Sequence, residues 1–232
     1  MASKSQKVPA GRRVAIVRGL RTPFLKQGSL FANLTALDLA QLVVQELVQR
    51  TDLDPALIES CVFGQVVPGI LQPSIAREVV LAAGLPKTLE AHTVTRACAT
   101  SIQSMTSAAD RIQLGHVDVA LTGGTDSMSD PPIFATRALS HARLASSKAK
   151  TPMARLKAFQ KLKARDFAPV APAISEYSTG LTMGQSAEKM AKENGITREE
   201  QDQIALASHQ NAAKAWEDGF FDSHVMHVPV PP

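Results

Sequence analysis

Strand and helix signals alternate through the first 128 residues, and this alternation constrains the fold more than any other feature of the chain. Short β-branched apolar runs predict strands, and longer segments with apolar residues three and four apart predict helices. The predicted elements are a strand at Arg13–Arg18, a helix at Thr35–Arg50, a strand at Cys61–Val67, a helix at Ser74–Ala83, a strand at His92–Thr95, a helix at Ala99–Leu114 and a strand at Asp118–Thr122 that Gly123 and Gly124 end. This order predicts an α/β fold, with a mostly parallel sheet covered by helices on both faces.

The pattern changes after Ser129. Asp130-Pro131-Pro132 ends the regular region, a basic segment follows, and two further helices open with capping-box patterns at Thr182 and Thr197. We therefore predict two domains, a sheet domain over residues 1–128 and a helical, loop-rich domain over residues 129–232.

Several classes of protein are disfavoured by the sequence. It has no apolar run of 18 residues, so no membrane span is expected, and its first seven residues precede no apolar core of a secretory signal. We predict a cytoplasmic protein. Its two cysteines lack the spacing of a metal site, so we predict neither a disulfide framework nor a bound metal. The net charge of +4 is mild, and we predict no nucleic-acid partner.

The positive charge is concentrated in one segment. Nine Lys or Arg residues and a single acid lie between Arg137 and Asp166. The apolar residues of segment 143–165 recur every three positions. Because a helix has 3.6 residues per turn, residues at this spacing do not stay on one face, and the amphipathic pattern is weak. Two interpretations stay open here, a solvated loop and a surface for an anionic partner.

Cys98 lies between a predicted strand and a predicted helix. The free N–H groups of a helix N-terminus carry partial positive charge, which favours a thiolate and can stabilise an oxyanion. From position alone, Cys98 is either a nucleophile or a small buried apolar residue. Cys61 lies inside a strand, and we predict that it belongs to the core.

The helix that follows Cys98 carries an apolar stripe of Ile102, Met105, Ala109 and Ile112, and its other faces are mostly Ala, Ser and Thr. Small residues on nearly all sides predict a helix that is packed on several sides. Such a helix would hold a nucleophile firmly in position.

Five segments, in order along the chain, resemble motifs of the thiolase family. They are Arg21–Phe24 (RTPF), the nucleophile motif Val94–Ser101 around Cys98, Gly123–Ser129 (similar to GGxExMS), Met183–Glu188 (similar to MGxTAE) and Arg198–Asp202 (similar to RxEQD). The long basic segment, and Lys26 in place of a common Gly, make the chain most similar to the β-subunits of fatty-acid oxidation complexes. Ser101 departs from the family, which often has Gly there, and we interpret it as a variation in helix packing.

This resemblance implies a thiolase-like sheet, mostly parallel or mixed, with a helical loop domain that covers CoA and the substrate. It implies thiolysis of 3-ketoacyl-CoA in fatty-acid β-oxidation, with Cys98 as the nucleophile. The family also uses a histidine in a GHP motif and a cysteine in a CxG motif, both in its C-terminal half, and neither motif occurs in this sequence. We therefore expect the final strand of the sheet and the C-terminal half to be absent, and the chain alone to be inactive.

The resemblance also implies binding residues and partners. Met183, with Thr182 before it, occupies a position that lines the acyl and pantetheine pocket, and Met128 occupies another position near the nucleophile, so all three are candidate substrate- and CoA-binding residues. Coenzyme A is a substrate rather than a bound cofactor. It implies a homodimer or tetramer, a hydratase/dehydrogenase partner subunit, and contact of segment 143–165 with a membrane surface. The alternatives are a biosynthetic acetoacetyl-CoA thiolase, a ketosynthase, and a non-catalytic thiolase-like scaffold or docking subunit.

Overall fold

A computed structural model describes residues 12–230. Its helices are α1 (Ala36–Thr51), α2 (Ile75–Ala82), α3 (Thr100–Gln113), α4 (Arg137–Lys148), α5 (Pro152–Lys157), α6 (Met183–Glu193) and α7 (Arg198–Glu217). Its strands are β1 (Ser60–Gly64), β2 (Glu90–Val94) and β3 (Ala120–Gly124), and short 3-10 turns lie at Pro55–Leu57 and Ala164–Phe167. None of the helices described is both long enough and apolar enough to cross a bilayer.

The three strands form one parallel sheet in the order β2-β1-β3. Ser60 at the start of β1 pairs with Glu90 and Ala120, and Gly64 at its end pairs with Val94 and Gly124. The carboxyl ends of all three strands therefore meet at one edge of the sheet, where ligands bind in open α/β folds.

Helices cover both faces of this sheet, as the alternation of elements predicts. On one face Cys61 and Phe63 of β1 join a core with Val44 of α1 and Val79 and Val80 of α2. Because successive residues of a strand point to opposite faces, Val62 and Gly64 face the other side, where α3 packs on β1 and β3. Burial of each large aliphatic side chain in such a core stabilises the fold by about 1.5–3 kcal/mol.

Local signals set the helix ends. The capping boxes predicted at Thr182 and Thr197 both form, with Gln185 and Glu200 as the residues that reach back. Thr35 and Asp38 form a third at the start of α1. Gly84 and Gly115 follow α2 and α3 at φ +76° and +74°, a conformation that favours glycine at a helix end.

The predicted strand at Arg13–Arg18 is wrong, because these residues form no strand. Val14–Arg18 instead line a cavity of about 360 Å³ together with Asp118–Thr122 of the β3 region, and Val17 is 90% exposed. A strand requires a hydrogen-bonded neighbour, and among the described residues this segment has no ladder to one.

The predicted strand boundaries also need correction at β1 and β3. β1 ends at Gly64 rather than Val67, because the N–H groups of Val66 and Val67 donate to the carboxylate of Asp126 instead of a neighbouring strand. Gly123 and Gly124 continue β3 rather than end it. A Cβ atom at either glycine would overlap a neighbouring side chain, Phe63 or Ser101, so glycine lets the sheet pack closely there.

The predicted apolar stripe of α3 is not its buried face. Ile102 is 58% exposed and Met105 is half-buried, whereas Thr100, Ser104 and Ala108 are buried. Small side chains form this inner face because the sheet beneath carries glycines at positions 64 and 124, and the helix lies close to it. The helix is therefore covered along one line rather than on several sides.

The described residues form two compact units. One comprises the residues up to Asp130 together with those from Ala205 onward, and the other is Pro131–Ile204. The first boundary lies two residues from the predicted one, while the second unit is shorter than the predicted domain 129–232. The assignment of these units to catalytic and loop domains stays a prediction. The first seven residues, used to predict the cytoplasmic location, lie outside the described residues.

Candidate active site

Cys98 is an exposed thiol on the turn between β2 and α3, two residues before the helix begins. The other cysteine differs in every respect. Cys61 is fully buried in β1, and its burial raises the pKa of the thiol to about 12. Cys61 is thus a protonated core residue near neutral pH, as predicted, and the reading of Cys98 as a small buried residue is wrong. Cys98 is the accessible thiol of this chain.

The backbone of the turn is held in an uncommon conformation. Ala97, just before Cys98, has φ +45°, in the left-handed region that residues with a Cβ atom rarely adopt. Two consecutive backbone hydrogen bonds close the turn, from the N–H of Ala99 to Arg96 O at 3.0 Å and from the N–H of Thr100 to Ala97 O at 3.1 Å. This segment, Arg96–Thr100, is called the elbow below.

The first turn of α3 has no side-chain cap. Ala99 occupies the N-cap position and offers no side-chain acceptor to the N–H groups that follow. Most helices satisfy these groups with Ser, Thr, Asp or Asn at this position. An uncapped N-terminus beside an exposed thiol leaves donors and positive partial charge for a ligand, which suits stabilisation of developing negative charge.

Arg96 does not direct its charge at the thiol through a hydrogen bond. Its guanidinium Nη1 donates to Gln103 Oε1 at 2.7 Å, along the side of α3. The N–H groups at the start of α3 add partial positive charge at the elbow.

The loops after β1 and β3 are tied together at the same edge of the sheet. The carboxylate of Asp126 accepts the N–H of Val66 at 3.1 Å and that of Val67 at 2.8 Å. Between them and β1 lies Gln65, which is buried and whose Oε1 has no hydrogen-bond partner in the described structure. Buried amide oxygens are nearly always paired, so this atom can accept a donor that is not among the described residues.

The loop 125–129 is also anchored to the residues before α1. Thr125 donates its hydroxyl to Ala36 O at 2.8 Å, and Ser127 donates to Leu34 O at 3.0 Å. Gln27 Nε2 donates to the carbonyl of Met128 at 2.6 Å, and the Met128 side chain is 60% exposed beside a cavity of about 480 Å³. The backbone at Met128 is fixed while its side chain is free to contact a ligand.

The other two predicted binding residues lie in the second compact unit. Met183 is 58% exposed at the start of α6. Thr182 is half-buried, and its hydroxyl accepts the N–H of Gln185, so it caps this helix. Their role in binding stays a prediction.

Sequence reasoning identified Cys98 but not the residues that support it. Gly64 and Gln65 carry no conspicuous pattern, and Thr100 and Asp126 stand out in the sequence only as members of motifs. Their roles depend on contacts between segments up to 60 residues apart. A polar residue directly after a short apolar strand, as at Gln65, is the one signal that could have pointed to them.

Comparisons with known proteins place the chain in a family. Residues 14–231 match the family profile described as Thiolase, N-terminal domain. The chain is 51% identical over 222 residues to a 3-ketoacyl-CoA thiolase from Serratia proteamaculans, covering 96% of the chain and 51% of that relative. A 3-ketoacyl-CoA thiolase from Photobacterium profundum is 50% identical over 216 residues, covering 93% of the chain and 50% of that relative.

Solved structures give the same result. The chain resembles an acetyl-CoA acetyltransferase from Bacillus anthracis with a TM-score of 0.72 at 30% identity, covering 91% of the chain and 49% of that structure. It resembles the Acat5 thiolase from Ascaris suum, solved in complex with coenzyme A, with a TM-score of 0.72 at 28% identity, covering 90% and 50%. The chain spans about half the length of the relatives it matches.

Proposed function

The chain belongs to the thiolase family, and we propose that it forms the nucleophile-bearing half of a 3-ketoacyl-CoA thiolase, with Cys98 as the residue that is acylated. The observation that carries this proposal is the exposed Cys98 thiol on a constrained elbow before an uncapped helix. An accessible thiol with helix N–H groups close by in the chain is the arrangement that nucleophilic attack on a thioester or ketone requires.

In the proposed reaction the Cys98 thiolate attacks the 3-keto carbonyl of a 3-ketoacyl-CoA. The new bond joins Sγ to the carbonyl carbon, and the bond between C2 and C3 of the substrate breaks. Acetyl-CoA leaves as an enolate that takes up one proton, and the shortened acyl group remains as a thioester on Cys98. A CoA thiol then attacks this thioester, which releases the acyl-CoA and regenerates the cysteine.

The residues of this chain supply only some of the groups that this reaction needs. Cys98 provides the nucleophile, and the first turn of α3 provides N–H donors for negative charge. The groups that move protons in the family belong to GHP and CxG motifs, which this sequence does not contain. We therefore expect the chain by itself to be acylated slowly and not to turn over.

Exposure to a 3-ketoacyl-CoA and CoA tests this proposal through the products. We expect about one equivalent of acetyl-CoA per chain after long incubation, measured by liquid chromatography, and none from Cys98→Ser. Sustained turnover by the chain alone would contradict the expectation that proton transfer needs groups this sequence does not contain. Absence of any acetyl-CoA even after long incubation would contradict the proposed role of Cys98.

The alternatives differ in testable ways. The higher identity to relatives named 3-ketoacyl-CoA thiolase, 51% against 30% for a structure named acetyl-CoA acetyltransferase, favours the degradative activity over the biosynthetic one. A ketosynthase would take its second substrate from a malonyl thioester rather than from CoA. A non-catalytic scaffold would tolerate the loss of the Cys98 thiol without any change in product.

For the partners, we infer that an acyl-CoA binds this chain, with Met128, Thr182 and Met183 as candidate contacts. A homodimer or tetramer, a hydratase/dehydrogenase partner subunit and a cytoplasmic location follow from the family resemblance and remain proposals.

Segment 143–165 supports a further proposal, contact with an anionic surface. Rather than one continuous amphipathic helix, the segment is divided between the end of α4, the short α5 and the turn that follows. Its eight Lys and Arg side chains are exposed, and within residues 12–230 none forms a salt bridge. Unpaired cations beside exposed Leu144, Met153 and Leu156 are typical of a surface that meets anionic lipid headgroups.

A further inference from the structure

The side chain of Thr100, the last residue of the elbow and the first of α3, binds the backbone of two earlier elbow residues. Its hydroxyl oxygen accepts the backbone N–H of Arg96 at 2.7 Å, and the same hydroxyl donates to Ala97 O at 2.6 Å. Its own N–H donates to Ala97 O at 3.1 Å. One side chain therefore fixes the residues on both sides of the peptide bond that leads to Ala97, directly before Cys98.

The other half of the Thr100 side chain is fixed by the sheet. Thr100 is only 4% exposed, and its Cγ2 methyl occupies the space that a side chain at position 64 would need. Gly64 is the last residue of β1, so the methyl group sits at the carboxyl edge of the sheet. With the methyl locked in this space, the hydroxyl can point only toward the elbow.

This arrangement explains how Ala97 keeps its φ of +45°. Such a conformation is unfavourable for alanine and persists only where the surrounding contacts impose it. Four described hydrogen bonds hold the elbow, and Thr100 supplies three of them, two to the Ala97 carbonyl and one from the Arg96 N–H; the fourth runs from the Ala99 N–H to Arg96 O. Without the hydroxyl, only the two backbone bonds of the turn remain, from the Thr100 N–H to Ala97 O and from the Ala99 N–H to Arg96 O.

We propose that Thr100 is a positioning residue for Cys98: its hydroxyl holds the elbow in the conformation that places the thiol before the N-terminus of α3. The missing side chain at Gly64 leaves the room that the Thr100 methyl group needs for this orientation. Thr100 acts through the backbone and does not itself meet the substrate. The proposal rests on the proposed function in so far as Cys98 is the group whose placement matters for the reaction.

The test is the rate at which iodoacetamide alkylates Cys98 in the folded chain, because this rate can be measured without substrate or turnover. Thr100→Val removes the hydroxyl and keeps the shape of the side chain, while Thr100→Ser keeps the hydroxyl. Ser104→Ala is the matched control, since Ser104 is equally buried one turn further along α3 and its hydroxyl donates to Ser101 O rather than to the elbow. Circular dichroism confirms that each variant is folded.

We expect Thr100→Val to slow alkylation of Cys98 at neutral pH by at least about fivefold, because the thiol no longer stays beside the positive end of α3. Thr100→Ser should return the alkylation rate to within about twofold of that of the parent chain. Ser104→Ala should also stay within about twofold of the parent rate, because it removes a hydroxyl bond of similar strength that does not reach Arg96 or Ala97. An unchanged rate in Thr100→Val, or an equal loss in Ser104→Ala, would overturn the proposal.

A second variant keeps the test decisive if Thr100→Val does not fold. Gly64→Ala retains every hydrogen-bonding group and displaces the Thr100 methyl, so it should also slow alkylation, whereas a folded Gly64→Ala chain with the parent rate would overturn the role of Gly64. Failure of the proposed function is distinguishable, because Cys98 would then be alkylated as expected in all variants while no acyl group is ever transferred to it.

Discussion

The aromatic ring of Phe63 occupies the space beside Gly123 that any side chain at that position would need. The two residues are paired across β1 and β3, and Phe63 is only 2% exposed. Glycine at position 123 is therefore a packing requirement of the core that lies under α1 and α2.

The first prediction follows from this contact. Gly123→Ala should destabilise the chain by about 1–3 kcal/mol, because the buried ring cannot move aside without strain. Gly184→Ala is the matched control, since Gly184 lies in α6 with open space around it and alanine favours a helix by about 0.5–1 kcal/mol. Urea denaturation measures both changes, and equal effects of the two substitutions would contradict the close packing described.

The second prediction concerns the pair of Glu90 and Arg111. Both guanidinium Nη atoms of Arg111 donate to the Glu90 carboxylate, and this hydrogen bonding lowers the pKa of Glu90. Because the pKa of Glu90 is lower in the folded chain than the unfolded value of about 4.3, the pair stabilises the folded state fully at pH values above 4.3. This stabilisation is lost as the pH falls through the pKa that Glu90 has in the folded chain. Because the Glu90 side chain is 59% exposed, we expect less than about 1 kcal/mol.

A double-mutant cycle with Glu90→Gln and Arg111→Met at pH 6 and at pH 3 isolates this interaction. The coupling free energy should be measurable at pH 6 and smaller at pH 3, because protonation of Glu90 removes its charge. A coupling that grows as the pH falls would show that the sign is wrong.

The third prediction separates the two cysteines. In the folded chain at pH 8, iodoacetamide should label Cys98 and leave Cys61 unmodified, because burial blocks access to Cys61 and holds the pKa of its thiol at about 12. Peptide mapping by mass spectrometry distinguishes the sites, and labelling after denaturation should modify both. Equal labelling in the folded chain would mean that β1 does not bury Cys61.

The fourth prediction addresses segment 143–165. Replacement of Lys157, Lys161 and Lys163 by Gln should weaken binding to vesicles that contain phosphatidylglycerol, by about 1 kcal/mol per charge that lies at the surface. Lys189 and Lys192 provide the control, because their ammonium groups are already paired with Glu193 and Glu188 in α6. Co-sedimentation at low and high salt measures the effect, and binding that ignores both salt and the substitutions would exclude an electrostatic contact.

Features that depend on neighbours in sequence were predictable. The bounds of α1, α2 and α3 lie within one residue of those predicted, and the capping boxes at Thr182 and Thr197 form as expected. Each capping box depends on a side chain and a backbone group only three residues apart. The position of Cys98 between a strand and a helix was predictable for the same reason.

Features that depend on residues far apart in the sequence could not be predicted. Segment 13–18 has the composition of a strand but no hydrogen-bonded neighbour in the described structure, and composition cannot show that. The buried face of α3 is set by the glycines of β1 and β3, so its small polar residues face inward while Ile102 faces outward. The contacts of Asp126 with Val66 and of the Thr100 methyl with Gly64 likewise become visible only once the sheet is assembled.

The central claim is that Cys98 is the acyl-accepting nucleophile, and its most direct test is the location of the acyl group after incubation of the chain with octanoyl-CoA. In this exchange the thiol of Cys98 takes the octanoyl group and CoA leaves with the proton. We predict one hydroxylamine-sensitive thioester per chain, mapped by tandem mass spectrometry to Cys98 and absent from Cys98→Ser. An acyl group on Cys61 or on lysines, or no thioester at all, would contradict the account.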